Sequence, residues 1–320
     1  MRVKNCLITI GLIGILIVVC GLFYFYSTKE KNNEFQIEST QQYPLLAKRI
    51  FQEHPNDIRL GFSELRTKLR EYVAAQEDED TKITVYFEYL PTGTSIKIND
   101  STKNIAASLV KVPLAMNIYR LQENGLVDMR SEIELKQEWL DDQFGDLYKK
   151  GAGHKISIKS LIELLLIESD NTAANALWYV NDSLGGMDYD EDISNYLDIE
   201  FEFGAEETLL LGSRQYSSIL KCLYFACYNS FDNSQTILNL LTKTPFDGRL
   251  RRYIDDEKLD IAHKIGVFDE FYQSDCGIFY LDKNNYLLCV MVQGNDLDSS
   301  AQIAEISRIV FSYMRALAID

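Results

Sequence analysis

The stretch Ile105-Ala-Ala-Ser-Leu-Val-Lys-Val-Pro-Leu-Ala-Met116 sets Ser108 and Lys111 three residues apart, where a helix is predicted to begin. One helical turn brings the lysine amine under the serine hydroxyl. A serine hydroxyl is a weak nucleophile until a neighbouring base takes its proton, and lysine serves as that base only when burial or nearby cations hold it neutral. The two residues are therefore a candidate nucleophile and base. Pro113 suits a helix in its first turn, and Gly125 reads as the C-terminal stop.

The same spacing recurs at Ser218 and Lys221, which reads as the polar face of another helix. The first copy is distinguished by two polar clusters downstream of it, Ser169-Asp170-Asn171 and His263-Lys264-Ile265-Gly266. Around these the chain alternates in character. A helix is expected over Asp57 to Gln76, then a strand over the β-branched and aromatic run Ile83 to Leu90, turning at Pro91-Thr-Gly-Thr into Ser95 to Ile98. Asp128 to Gly153 reads as surface loop with short helices. Ser157 to Glu168 is apolar nearly all round, as a buried helix is. Further helices are expected to about Val180 and over Met187 to Leu197, Ser213 to Asn229 and Asn233 to Thr242. Strands follow over Asp260 to Val267, Gln273 to Leu281 and Tyr286 to Gly294, and a helix from Ser299 to Ala318 closes the chain. Strands, a block of helices, more strands and a last helix predict an α+β domain. Its sheet would be antiparallel and five-stranded, flanked by the first and last helices, with an all-helical lobe beside it and the active site between the two.

The apolar run from Leu7 to Tyr26 carries no charge and is long enough to cross a bilayer as a helix. A cleaved signal peptide would be followed by a small-x-small site, which is missing, and a lipoprotein reading of Cys20 is opposed by Val18 and Val19 before it. The expected organisation is a cytoplasmic stub and transmembrane anchor over 1–26, a polar linker over 27–56 and a folded domain over 57–320, held at the cell membrane and facing out of the cytoplasm. Arg2 and Lys4 on one side oppose Lys29 and Lys31 on the other, so charge sets this orientation only slightly. A formal charge of −16 argues against nucleic acid as a partner. Of six cysteines, Cys222, Cys227, Cys276 and Cys289 fall in the folded domain without metal-ligand spacing. Cys222 and Cys227 are badly phased for bridging on one helix, and buried free thiols are expected at all four, although Cys276 and Cys289 can face each other across a hairpin.

The texts Ala107-Ser-Leu-Val-Lys111, Glu168-Ser-Asp-Asn-Thr-Ala-Ala-Asn175 and Ala262-His-Lys-Ile-Gly-Val267 resemble the SxxK, SDN and KTG elements of class A β-lactamases and penicillin-recognising serine hydrolases. The resemblance implies that Ser108 is acylated, that Lys111 is its base or proton relay, and that Ser169 passes a proton to the leaving nitrogen. Asn171 would hold the substrate amide and Lys264 would face the substrate carboxylate. Gly266 and Val267 would complete the binding strand, with the backbone amides of Ser108 and Val267 as the oxyanion hole. Asp170 and Asn175 are expected to be structural, and His263 a packed neighbour. Two positions depart from the family. Ile265 stands where the family carries Thr or Ser, and no ExxLN sequence supplies the glutamate that activates the hydrolytic water. Glu200, Glu202, Glu206 and Glu207 lie in that part of the chain, in what reads as a solvated acidic loop.

Two classes of function follow from the resemblance. One is a membrane-anchored serine hydrolase acting through a Ser108 acyl-enzyme on β-lactams, or on peptidoglycan stem peptides ending in D-Ala-D-Ala as a carboxypeptidase. The other is a non-catalytic relative that holds wall peptides. A Ser-His-Asp hydrolase has no nucleophile elbow here. The serine acyl mechanism calls for no metal or organic cofactor.

Overall fold

The computed structural model describes residues 61–184, 189–199, 202–204, 208–269, 271–282, 284–294 and 296–319. The expected membrane anchor, the linker and the candidates Glu200, Glu206 and Glu207 lie outside the described residues. No described helix is long and apolar enough to cross a membrane.

The described residues open with helix α1 (Ser63–Gln76) and the hairpin of strands β1 (Lys82–Tyr89) and β2 (Thr94–Ile98). After β3 (Asn104–Ile105), a 3₁₀ turn at Ala107–Val110 runs directly into α2 (Lys111–Glu123). Short strands β4 (Glu132–Glu134) and β5 (Lys155–Ser157) bracket the next passage, and α3 (Ile158–Ile167), α4 (Asn171–Ser183) and α5 (Tyr189–Leu197) follow. Then come β6 (Glu202–Phe203), β7 (Leu209–Leu211), α6 (Ser213–Tyr224) and α7 (Phe231–Leu241). Strands β8 (Ile261–Phe268), β9 (Tyr272–Phe279) and β10 (Tyr286–Gln293) and the long helix α8 (Asp296–Ile319) complete it.

The main sheet has the order β2-β1-β10-β9-β8, antiparallel throughout. β1 pairs with β10 from Lys82 opposite Gln293 to Tyr89 opposite Tyr286. Both faces are covered: α1 and α8 pack together, α8 lying over β9 and β10, while α6 packs on β1, β9 and β10. A strand covered on both sides loses the apolar-polar alternation. Every residue of β1 after Lys82 is buried accordingly, Thr84 and Glu88 included. Glu88 is satisfied there by the Tyr86 hydroxyl at 2.6 Å and by Lys221 at 3.2 Å. The second serine-lysine pair therefore has a structural role, with Lys221 in this ion pair and Ser218 bonded to Arg214 O.

In the helical lobe, α3 buries Ile158, Leu161, Ile162, Leu165 and Leu166. A ten-residue helix is marginal alone, so its stability comes from this burial, roughly 1.5–3 kcal/mol for each fully buried side chain. α2 is buried almost entirely from Lys111 to Tyr119. That enclosure is what places a lysine amine in a poorly solvated setting.

The cysteines correct the sequence-based expectation of free thiols. Cys222 is bridged to Cys227, and Cys276 to Cys289. The first pair meets because α6 stops at Tyr224 instead of continuing to Asn229: Ala226 takes a left-handed φ of 50°, folding Cys227 back so that its N–H bonds Cys222 O at 3.0 Å. Helical phasing no longer applies past that point. Cys276 and Cys289 sit directly opposite in the β9–β10 register. The acidic passages also hold short strands that composition did not signal, β4 with β5 and β6 with β7.

Candidate active site

Ala107 has φ 46°, a left-handed conformation that costs an alanine roughly 1–2 kcal/mol. It turns the chain out of β3 and into the 3₁₀ turn, which closes with Leu109 N–H on Ala106 O at 3.0 Å. Ser108 is half-buried on this turn, and Lys111 is 4% exposed at the start of α2. The second segment turns in the same way. Ser169 has φ 56° and interrupts the chain between α3 and α4, and Asp170 then caps α4 by accepting Ala173 N–H at 2.7 Å. Asp170 also accepts Leu147 N–H at 2.9 Å, and Asn171 N–H bonds Phe144 O at 2.9 Å. Asn175 donates to Trp139 O at 3.1 Å, so Asp170 and Asn175 are structural members of the segment.

These turns bring polar groups together in a buried chain. Lys111 Nζ donates to Ser169 O at 2.5 Å, Asn171 Oδ1 at 2.6 Å and Ser169 Oγ at 3.2 Å. Lys264 Nζ, arriving from β8, donates to the same Ser169 Oγ at 2.8 Å. Lys264 is 1% exposed and lies 5.9 Å from the centre of the Phe246 ring. Two amines sharing one hydroxyl cannot both carry charge without strong repulsion. Burial, reinforced by the Lys111 charge, pulls the Lys264 amine well below the ordinary lysine range, with Asp275 opposing. Burial likewise pulls the Lys111 amine down to about 8, against the opposing carboxylates of Asp170 and Asp141.

Geometry also identifies where neutral Lys111 would hold its lone pair. A neutral amine has two N–H groups, and the two short acceptors, Ser169 O and Asn171 Oδ1, occupy both. The lone pair is left for the remaining contact, the Ser169 hydroxyl at 3.2 Å. No hydrogen bond joins Ser108 Oγ to Lys111 among the described residues.

β8 is the edge strand of the sheet, and it packs against the Ser108 turn. Gly266 makes this approach possible, since a Cβ there would lie 2.9 Å from Ala106 O and 2.4 Å from Ser274 Oγ. Val267, next along, is half-exposed. Strand alternation sets Lys264 and Gly266 on the face towards Ser169, and His263 and Ile265 on the other. Ile265 is buried there, so it is a core residue and does not line the Lys264 face. His263 Nδ1 pairs with Asp275 Oδ1 at 2.8 Å, and Asp275 also accepts Leu250 N–H at 3.1 Å. Glu202 is exposed and ion-paired to Lys103 at 3.0 Å.

The structure thus gathers Lys111, Ser169, Asn171 and Lys264 by direct hydrogen bonds, and Ser108, Gly266 and Val267 by the packing of the turn on β8. Sequence reading missed Asp141, whose carboxylate accepts Asn171 Nδ2 at 3.0 Å. It also missed the aromatic pair Phe144 and Phe246, with ring centres 6.3 Å apart near Lys264. Neither carries a local sequence signal, because both depend on contacts between distant segments.

Comparisons with known proteins bear on the fold and the family. A search of curated proteins finds no match. Among solved structures, a mutant of PBP-A in an acyl-enzyme complex with penicillin G is similar, with a TM-score of 0.71 at 20% identity over 80% of this chain and 98% of that one. A β-lactamase from Sphaerobacter thermophilus DSM 20745 gives a TM-score of 0.70 at 20% identity over 78% and 98%. TLA-1 extended-spectrum β-lactamase gives 0.69 at 18% identity over 79% and 99%. At such identities these likenesses speak for the fold. The family model described as the Beta-lactamase enzyme family matches residues 64–314, most of the chain. With that match and a buried serine-lysine cluster between sheet and helices, the chain belongs to the beta-lactamase enzyme family and is a serine hydrolase.

Proposed function

We propose that the protein opens β-lactams by acylation at Ser108. The observation that carries this reading is the buried chain Lys111–Ser169–Lys264 beside the Ser108 turn. Ser108 Oγ attacks the lactam carbonyl carbon and gives its proton to neutral Lys111. The carbonyl oxygen, now negative, is received by the backbone N–H groups of Ser108 and Val267, each such donor supporting roughly 10²–10³ in rate. As the C–N bond breaks, Ser169 Oγ gives a proton to the ring nitrogen and is resupplied by the lysine amines bonded to it. Asn171 holds the acyl amide and Lys264 faces the substrate carboxylate, which favours its charged form. Water then cleaves the Ser108 ester and restores the serine.

A specific observation favours a second reading, a penicillin-binding D-Ala-D-Ala carboxypeptidase with a long-lived penicillin ester. No ExxLN sequence supplies a glutamate to activate water at the ester, and among the described residues no carboxylate hydrogen-bonds Ser108 or Lys111. Intact mass of the purified protein, followed over time with penicillin G, separates the readings. A fleeting adduct with the drug consumed supports the β-lactamase, and a lasting adduct supports the peptidase. No adduct and no loss of drug would overturn both and leave a peptide-only hydrolase or a non-catalytic binder of wall peptides.

The hydrolase is further proposed to be anchored in the cell membrane by Leu7 to Tyr26, facing out of the cytoplasm. Two disulfides in the domain support an oxidising compartment. Protease added to intact cells is expected to degrade the domain. Its survival until the cells are lysed would reverse the orientation.

A further inference from the structure

Asp141 lies in the passage between β4 and β5, and both its backbone and its side chain are fixed. Its N–H donates to Thr172 Oγ1 at 3.0 Å, and the Thr172 hydroxyl returns a bond to Asp141 O at 3.2 Å. Oδ1 accepts Asn171 Nδ2 at 3.0 Å and Gln143 N–H at 2.9 Å. Oδ2 accepts no hydrogen bond from the described residues, and the side chain is half-buried. No lysine or arginine among the described residues forms an ion pair with it. The Lys111 amine is linked to it through the same Asn171 amide, its Nζ donating to Asn171 Oδ1 at 2.6 Å, and the Asp141 charge acts to raise that amine.

The carboxylate is bonded to the Asn171 side-chain amide, the group assigned above to the acyl amide of the substrate. Lys264 stands on the other side of Ser169, where the substrate carboxylate is assigned. With Lys264 charged by a bound carboxylate and Lys111 neutral, the cleft is polarised along its length, cationic at the carboxylate end and anionic at the acyl end. A complementary ligand carries a carboxylate at one end and a cation at the other. Oδ1 is held by two donors while Oδ2 is left for a third, so the carboxylate is ready to receive a charged N–H group without rearrangement.

We propose that Asp141 is a specificity-determining residue that selects acyl groups bearing a protonated amine beside the amide held by Asn171. The inference rests on the acyl-transfer reading above and names its preferred substrate class, amine-bearing acyl amides. An isosteric asparagine at this position keeps an acceptor for Asn171 and Gln143 but loses the charge that attracts the amine.

The test compares two penicillins that differ by a single ammonium group, penicillin G and its α-amino analogue ampicillin. Second-order rate constants for acylation are measured on the full-length protein by intact mass. The wild type is expected to favour ampicillin by about tenfold, equivalent to about 1.4 kcal/mol. Asp141→Asn is expected to bring the ratio close to one, and Asp141→Glu to restore part of it. A purely structural role would change both rates together and leave the ratio intact. The wild-type ratio is also measured at low and high salt, where screening of a charge contact lowers it, so the inference is tested even if a variant fails to fold. A wild-type ratio at or below one overturns the inference, as does a ratio that survives Asp141→Asn. If neither penicillin forms an adduct, the acyl-transfer reading itself falls; adducts without an amine preference remove only the role of Asp141.

Discussion

Lys111→Ala is expected to slow acylation of Ser108 by penicillin G by roughly 10²–10⁴-fold, the usual contribution of a positioned general base, and Ser108→Ala to abolish the adduct. The size of the effect follows from burial. Lys111 is 4% exposed, and loss of solvation brings its amine down to about 8. A base must be neutral to accept a proton, so the active fraction is about a tenth at pH 7 and most of the total above pH 9. The wild-type acylation rate should therefore rise close to tenfold per pH unit below about 8 and level off above it. In Lys111→Ala that rise should vanish along with the rate, which separates loss of the base from damage to the fold. An alanine variant acylated within a few-fold of wild type would move the base elsewhere, to Ser169 or Lys264.

Lys264 brings a different control over the same step. It shares Ser169 Oγ with Lys111 and is held well below the usual lysine range by burial and by the Lys111 charge. An arriving carboxylate favours the charged form of Lys264, and that charge in turn favours neutral Lys111. On the proposed mechanism, substrate binding thus helps to generate the base that activates Ser108. A substrate lacking the carboxylate forgoes this coupling.

How far the sequence discloses the molecule depends on whether a feature is local. β1 is legible because its β-branched and aromatic run favours a strand wherever the strand sits, and α3 because leucine and isoleucine on nearly every side require burial. Ser108, Lys111, Ser169, Asn171 and Lys264 are legible as separate short texts in a familiar order. Their shared hydrogen bonds are not, since these arise when three distant segments converge. The left-handed Ala107 and Ser169 have no signal of the kind glycine gives, and their conformations are imposed by the packing around them. Cys222 and Cys227 are not legible as a pair, because helical phasing ends at Tyr224 and Ala226 turns the chain. Asp141 carries no local signal among the acids of the Asp128 to Gly153 passage. Only the contact across to Asn171 and Thr172 sets it apart from exposed Asp142 beside it.

Asp170→Ala is expected to cost about 2–4 kcal/mol, the sum of a lost helix cap and a buried N–H left without a partner. Asp170 is fully buried and serves two donors at once, Ala173 N–H at the start of α4 and Leu147 N–H from the neighbouring passage. Water cannot readily replace it on the other side, because Gly145 packs flush against the carboxylate: at φ 81°, a Cβ on Gly145 would lie 2.0 Å from Asp170 Oδ2. The urea midpoint reads the loss directly, and Tm should fall by about 5–10 °C for a domain of this size. Chemistry should change too, since the Asp170 charge raises the Lys111 amine against burial. Removing that charge lets Lys111 fall further below about 8, so the rise of acylation with pH should move to lower pH. Asp170→Asn separates the two effects by keeping an acceptor for Ala173 N–H while losing the charge. It should shift the pH profile in the same direction with a smaller loss of stability. An alanine variant as stable as wild type to within about 0.5 kcal/mol would mean that the cap and the Leu147 bond are dispensable. In that event the left-handed turn at Ser169, and with it the reach of Ser169 to both lysines, must be held by α3 and α4 packing alone.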